Sequence, residues 1–116
     1  MNIDCKHIYD TLIIRLVGEL DLLVSEKLRD FIDIKITENK SRVLILNLEK
    51  VSFVDSSGLG VIIGRYKKIS AKKGKMYIAG AQPMVEQILV LSGINKLIPL
   101  CRNEQEIMEN YREDGI

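Results

Sequence analysis

The sequence has 116 residues, 47% hydrophobic and 28% charged, which fits one domain and leaves no length for a second. Seventeen Lys and Arg against sixteen Asp and Glu give a formal charge of +1, so no overall field exists to grip nucleic acid or an anionic membrane. With no Trp, two Phe and four Tyr, the core must come from Ile, Leu and Val, and base stacking on exposed aromatics is disfavoured.

Ile3 to about Ile8 and Thr11 to Val17 are short β-branched runs separated by Tyr9-Asp10, which predicts a hairpin. After Gly18-Glu19-Leu20-Asp21, apolar residues recur at Val24, Leu28, Phe31 and Ile32, the spacing of a helix with one buried stripe, capped by Asp21 or Ser25. Val43 to Leu48 is a nearly unbroken apolar run, as a strand in the middle of a sheet requires. A second helix begins near Ser56 or Ser57, carries Leu59, Ile62, Ile63, Tyr66 and Ile69 on one face, and ends at Gly74. The basic cluster from Arg65 to Lys75 reads as a solvated helix face. Lys75 to Ala79 is a further strand, Pro83 opens a third helix that stops at Gly93, and Leu97 to Leu100 is a short last strand. Glu104 to about Arg112 forms a final helix with Ile107, Met108 and Tyr111 turned inward.

The order β-β-α-β-α-β-α-β-α predicts an α/β fold in one domain over residues 1–116, with a mixed sheet of about five strands and about four helices. Whether the helices share one face of the sheet is not decided by element order.

The chemistry is narrow. His7 is the single histidine, and Cys5 and Cys101 stand 96 positions apart, so no zinc-spaced ligand set exists and most routes to a histidine-based nucleophile are closed. No metal or cofactor is expected. Two dispersed cysteines read as buried thiols, the start MNIDCKHIYD lacks a signal's apolar region, and no stretch is long enough to span a membrane. The expected setting is a reducing cytoplasm. Met76, Met84 and Met108 fall at positions compatible with a core.

One segment is not explained by core formation: Val51-Ser52-Phe53-Val54-Asp55-Ser56-Ser57-Gly58-Leu59-Gly60. An acid, two serines and two glycines stand where a loop enters a helix, and a helix entrance offers unpaired N–H groups and a positive dipole end to an anion. Gly58 and Gly60 are expected to let another molecule approach the hydroxyls. The plainer reading is that Asp55 or Ser56 is an N-cap and the glycines serve close packing, Gly60 and Gly64 lying on one helical face. Enzyme motifs fit poorly. Val54 and Asp55 stand where a nucleophile elbow needs its first glycine, no Lys follows the glycines as in a phosphate-binding loop, and Ile63 replaces the third glycine of a dinucleotide fingerprint. Those glycines also read as standing about ten residues beyond the strand.

The run from Phe53 to Lys67 (FVDSSGLGVIIGRYK) resembles the signature of the STAS domain in bacterial anti-sigma factor antagonists, in the form shown by the sporulation members. Gly18-Glu19-Leu20-Asp21, Leu46-Asn47-Leu48 and Leu91-Ser92-Gly93 are similar to further family segments, so the resemblance spans nearly the whole chain. It implies a non-enzymatic partner switch. The unphosphorylated antagonist binds an anti-sigma factor that is also a serine kinase, which supplies the ATP and magnesium, and so frees a sigma factor. The kinase phosphorylates the second serine of D-S-S-G, here Ser57, and a PP2C-type phosphatase reverses the step. Asp21, Asp55, Ser56, Ser57 and Gly58 are then the expected partner-binding residues.

A phosphate on Ser57 would add about −1.5 to −2 charge near Asp55, and near Asp21 if the two loops meet. Repulsion of a docked partner without repacking of the fold is the expected result. Leu22-Leu23-Val24 depart from the polar residues often found after G-E-L-D; they are expected to begin the buried stripe, with partner contact as the alternative. Rival functions are a stress-response or general STAS regulator, a small nucleotide-binding or hydrolysing protein, and a structural subunit in which Ser57 is only a cap.

Overall fold

In the computed structural model, which describes residues 1–110, the elements are β1 (Asn2–Ile8), β2 (Thr11–Leu20), α1 (Leu22–Asn39), β3 (Val43–Val54), α2 (Ser56–Ala71), β4 (Lys75–Ala79), α3 (Pro83–Ser92), β5 (Leu100–Cys101) and α4 (Glu104–Asn110). The strands lie in the order β1-β2-β3-β4-β5; β1 is antiparallel to β2 and all other neighbours are parallel. This is the mixed five-stranded sheet that the alternation of strands and helices requires.

The β1/β2 hairpin turns at Tyr9, whose φ of 54° is left-handed. Along β2 the period of two is plain. Leu12, Ile14 and Leu16 face one cluster, which α1, α2 and α3 complete with Leu28, Ile32, Ile62 and Leu89, while Ile13 faces the other side. There Ile45, Tyr77, Ala79 and Cys101 pack beneath Ile107 of α4. The helices are therefore divided between the two faces, three against one. The continuous apolar run at the start of β3 follows, because Leu44 and Leu46 serve one cluster and Ile45 the other.

Several boundaries differ from the sequence expectation. β3 continues to Val54, with Val51 and Val54 buried between polar residues, so Gly58 stands four residues past the strand rather than about ten. The last strand is not Leu97–Leu100. Gly93 ends α3 at φ 84°, a 3-10 turn at Ile94–Lys96 follows with Ile94 and Ile98 buried, and only Leu100 and Cys101 pair, with Ile78 and Ala79. Helix α2 ends at Ala71 instead of Gly74; Lys73 takes the left-handed conformation and the Gly74 N–H donates to the Ile69 carbonyl at 2.9 Å. In α4, Ile107 is buried and Met108 half-buried, while Tyr111 and Arg112 lie outside the described residues.

The cysteines stand on opposite edge strands, Cys5 on β1 and Cys101 on β5. His7 is exposed on β1, and Met84, expected at a core position, is 66% exposed on the first turn of α3. Among the described residues no helix is long and apolar enough to cross a membrane, and no group of His, Cys, Asp and Glu is arranged to hold a metal ion.

Candidate functional site

β2 and β3 are parallel and end together, Leu20 beside Val54, so the entrances of α1 and α2 are neighbours. Each is opened by an aspartate in extended conformation. Asp21 caps α1, its side chain accepting the Leu23 N–H at 3.1 Å, and its carbonyl accepts the Ser25 hydroxyl at 2.6 Å. Asp55 caps α2 by accepting the Gly58 N–H at 3.0 Å through Oδ1. Its second oxygen, Oδ2, accepts the Leu22 N–H at 3.1 Å, and its own N–H donates to the Leu20 carbonyl at 3.2 Å. One carboxylate thus serves two helix entrances, and the G-E-L-D turn is joined to the D-S-S-G loop.

Ser56 and Ser57 are the first two residues of α2, where backbone N–H groups have no partner inside the helix. Ser56 is exposed and Ser57 half-buried, and among the described residues no side chain or carbonyl accepts from the Ser57 hydroxyl. The cap role falls to Asp55, leaving both serines outside it.

The glycines divide. Gly58, expected to open space for a partner, is buried, and a Cβ there would lie 2.6 Å from the Leu20 carbonyl oxygen and 2.7 Å from Leu20 Cγ. Its role is to let α2 close onto the end of β2. Gly60 has the open space expected beside the serines, and the alternative that Gly60 and Gly64 serve close packing does not hold, since a Cβ at either would meet nothing within 4 Å.

The leucines after Asp21 also depart from expectation. Leu22 is 71% and Leu23 90% exposed, and only Val24 packs on the core. The N-cap at Asp21 places Leu22 and Leu23 in the first turn, while the buried stripe runs through Ser25, Leu28, Ile32 and Ile36. Two leucines therefore stand in water beside Asp55 and the serine loop.

A second surprise is Arg65, assigned from sequence to the solvated basic face but 8% exposed. Its Nε lies 2.8 Å from Asp33 Oδ1 of α1 without hydrogen-bond alignment, so the contact is an ion pair across the two helices. Burial pushes the guanidinium below its ordinary value, against the pull of Asp33. The basic run gave no sign of this, because Asp33 is 32 positions away in the chain.

The STAS domain family model matches residues 2–107. The chain belongs to the STAS domain family. It is 40% identical over 104 residues to the anti-sigma F factor antagonist of Paenibacillus polymyxa, covering 90% of this chain and 89% of that one. It is 34% identical over 98 residues to the corresponding antagonist of Lysinibacillus sphaericus, 84% of each chain. Among solved structures, the anti-sigma factor antagonist SpoIIAA in its unphosphorylated form superposes with a TM-score of 0.82 at 30% identity, over 99% of this chain and 98% of that one. The sheet order and helix placement described above are those of a STAS domain, as the signature around Ser57 implied. Both of these curated relatives are named as antagonists of an anti-sigma F factor.

Proposed function

We propose that the protein is an anti-sigma factor antagonist of the sporulation type, a cytoplasmic binding module that frees a sigma factor by occupying its anti-sigma factor. The observation that carries this reading is the D-S-S-G loop of a STAS domain held open at a helix entrance. Asp55 makes the cap, so the Ser57 hydroxyl is left for another molecule. Membership of the family and the antagonist relatives support the same partner class.

The partner is an anti-sigma factor with serine kinase activity. Ser57 Oγ attacks the γ-phosphorus of ATP held with magnesium by that partner; the new O–P bond forms as the bond to ADP breaks, and the hydroxyl proton passes to a base of the kinase. A PP2C-type phosphatase hydrolyses the phosphoserine and restores the binding form. Asp21, Asp55 and Ser56 belong to the contact surface, and the exposed Leu22 and Leu23 add apolar area to it. The phosphate acts locally. It meets the first-turn N–H groups of α2, while the docked partner meets its charge and bulk.

Incubation with the anti-sigma kinase and ATP, followed by mass mapping, tests the assignment. Label is expected on Ser57, and label on Ser56 or elsewhere overturns it. Ser57→Ala is expected to bind the kinase and resist release by ATP, and Ser57→Asp to bind weakly; equal affinity of the two variants contradicts the electrostatic part of the account.

A further inference from the structure

Between α1 and α2 runs a groove of about 320 Å³, walled by Ser25, Glu26 and Arg29 on one side and by Ser57, Gly60 and Arg65 on the other. On α2, positions 57, 60 and 61, then 64 and 65, form one stripe. Because Gly60 and Gly64 have open space where a Cβ would be, the stripe is a bare track leading from the Ser57 hydroxyl toward Arg65.

The far end of that track is cationic. Arg65 is nine-tenths buried, and its Nη1 has no hydrogen-bond partner among the described residues. Arg29 reaches the same groove from α1, with Glu26 at 3.6 Å and Asp30 at 3.1 Å as its exposed partners. Burial lowers the Arg65 pKa and the like charge of Arg29 adds to this, against the pull of Asp33 at 2.8 Å from Nε. A hydroxyl without a partner at one end and two guanidiniums at the other, Arg65 ion-paired with Asp33 but with its Nη1 unpaired, make a place that an anion attached to Ser57 would complete.

Resting on the reading of Ser57 as the phosphoacceptor, we propose that its phosphate is received within the protein, lying along the α1/α2 groove against the Arg29 guanidinium, with Arg65 behind it. No covalent bond is made or broken in this capture. Exposed ion pairs hold weakly, so Arg29 can leave Glu26 and Asp30 for a two-pronged bond to phosphate. The opposing charges are Asp33 against Arg65, Asp30 and Glu26 against Arg29, Asp55 beneath the serine and Asp21 at the neighbouring cap. The released form is then a domain whose groove is filled by its own phosphate as well as one that repels its partner.

The test places phosphoserine at position 57 by codon-directed incorporation into the full chain, so that no kinase is needed. The phosphate is titrated by phosphorus NMR, and thermal midpoints are measured, in the otherwise unaltered protein and in Arg29→Gln. Helix N–H groups alone would lower the phosphate pKa, so the difference between the two proteins is decisive. The second phosphate pKa, ordinarily ~6, is expected to rise by about half a unit when Arg29 is replaced, and the gain in midpoint caused by the phosphate is expected to disappear. Identical titrations and midpoint changes in both proteins overturn the capture. If the kinase labels Ser57 but Arg29→Gln changes neither readout, the function stands and the capture is wrong. If the kinase ignores Ser57 while the installed phosphate responds to Arg29, the capture stands and the functional reading fails.

Discussion

Under α4 the Arg15 guanidinium forks onto Glu104 at 2.8 and 2.9 Å, and Asn47 donates to the same carboxylate at 2.6 Å, whereas at the α1 and α2 entrances Asp55 ties the loops together and leaves Ser57 beside bare leucines. Both regions are polar clusters at a helix start. The first closes on itself: the hydrogen bonds Arg15 donates hold the Glu104 carboxyl below its ordinary value, outweighing burial, and donating to Glu104 raises Arg15. The second ties its two loops together but leaves its hydroxyl and its apolar surface unanswered. A polar cluster whose members answer one another contributes stability, and one that stops short of its own serine is arranged for something else.

The largest effect expected from breaking this contrast is on binding. Leu23→Ser should leave thermal stability within about 0.5 kcal/mol of the original, since the side chain already stands in water. The same change should weaken the anti-sigma partner roughly tenfold or more in titration calorimetry, because a leucine buried on docking is worth about 1.5–3 kcal/mol. Unchanged affinity would remove Leu23 from the contact surface.

Next comes Gly58→Ala, whose methyl would press on Leu20; a loss of about 1–3 kcal/mol in denaturant unfolding is expected. In the closed cluster, Glu104→Gln should cost about 1 kcal/mol at pH 7, kept small because Arg15 is 43% exposed to screening water. The folded-state pKa of Glu104 is depressed, so its stabilisation is complete above the ordinary glutamate value and is lost as pH falls through the folded one. The difference in thermal midpoint between the two proteins should therefore shrink below about pH 5 and vanish in stronger acid. A difference that persists there would assign the cost to packing instead. The smallest effect has the opposite sign. Gly60→Ala should stabilise by about 0.5–1 kcal/mol, since alanine favours the helix interior and its methyl meets nothing. Destabilisation would mean that the groove is less open than its geometry indicates.

The closed half of the comparison was largely hidden in the sequence and the open half partly legible. Arg15, Asn47 and Glu104 come from three distant segments, and nothing local in the chain announces their meeting. The D-S-S-G loop could be read directly, because caps and glycines at a helix entrance are local chemistry. What failed there was tertiary. Gly58 and Gly60 are alike in the sequence, and only the position of Leu20 separates a packing glycine from an open one. Leu22 and Leu23 looked like the first turn of a buried stripe, yet the cap at Asp21 set the stripe to begin at Ser25. For the sheet, the apolar run of β3 announced a strand buried on both faces, while its continuation through Glu49, Lys50 and Ser52 was masked by polar residues. Arg65 was lost in a basic run because its partner lies on another helix.

The most direct measurement is the affinity of the anti-sigma partner for the protein before and after stoichiometric phosphorylation of Ser57. The account predicts a loss exceeding about a hundredfold, equivalent to ~3 kcal/mol, with the sheet and helices unchanged by NMR. Equal affinity of the two forms, or repacking of the fold on phosphorylation, would contradict it.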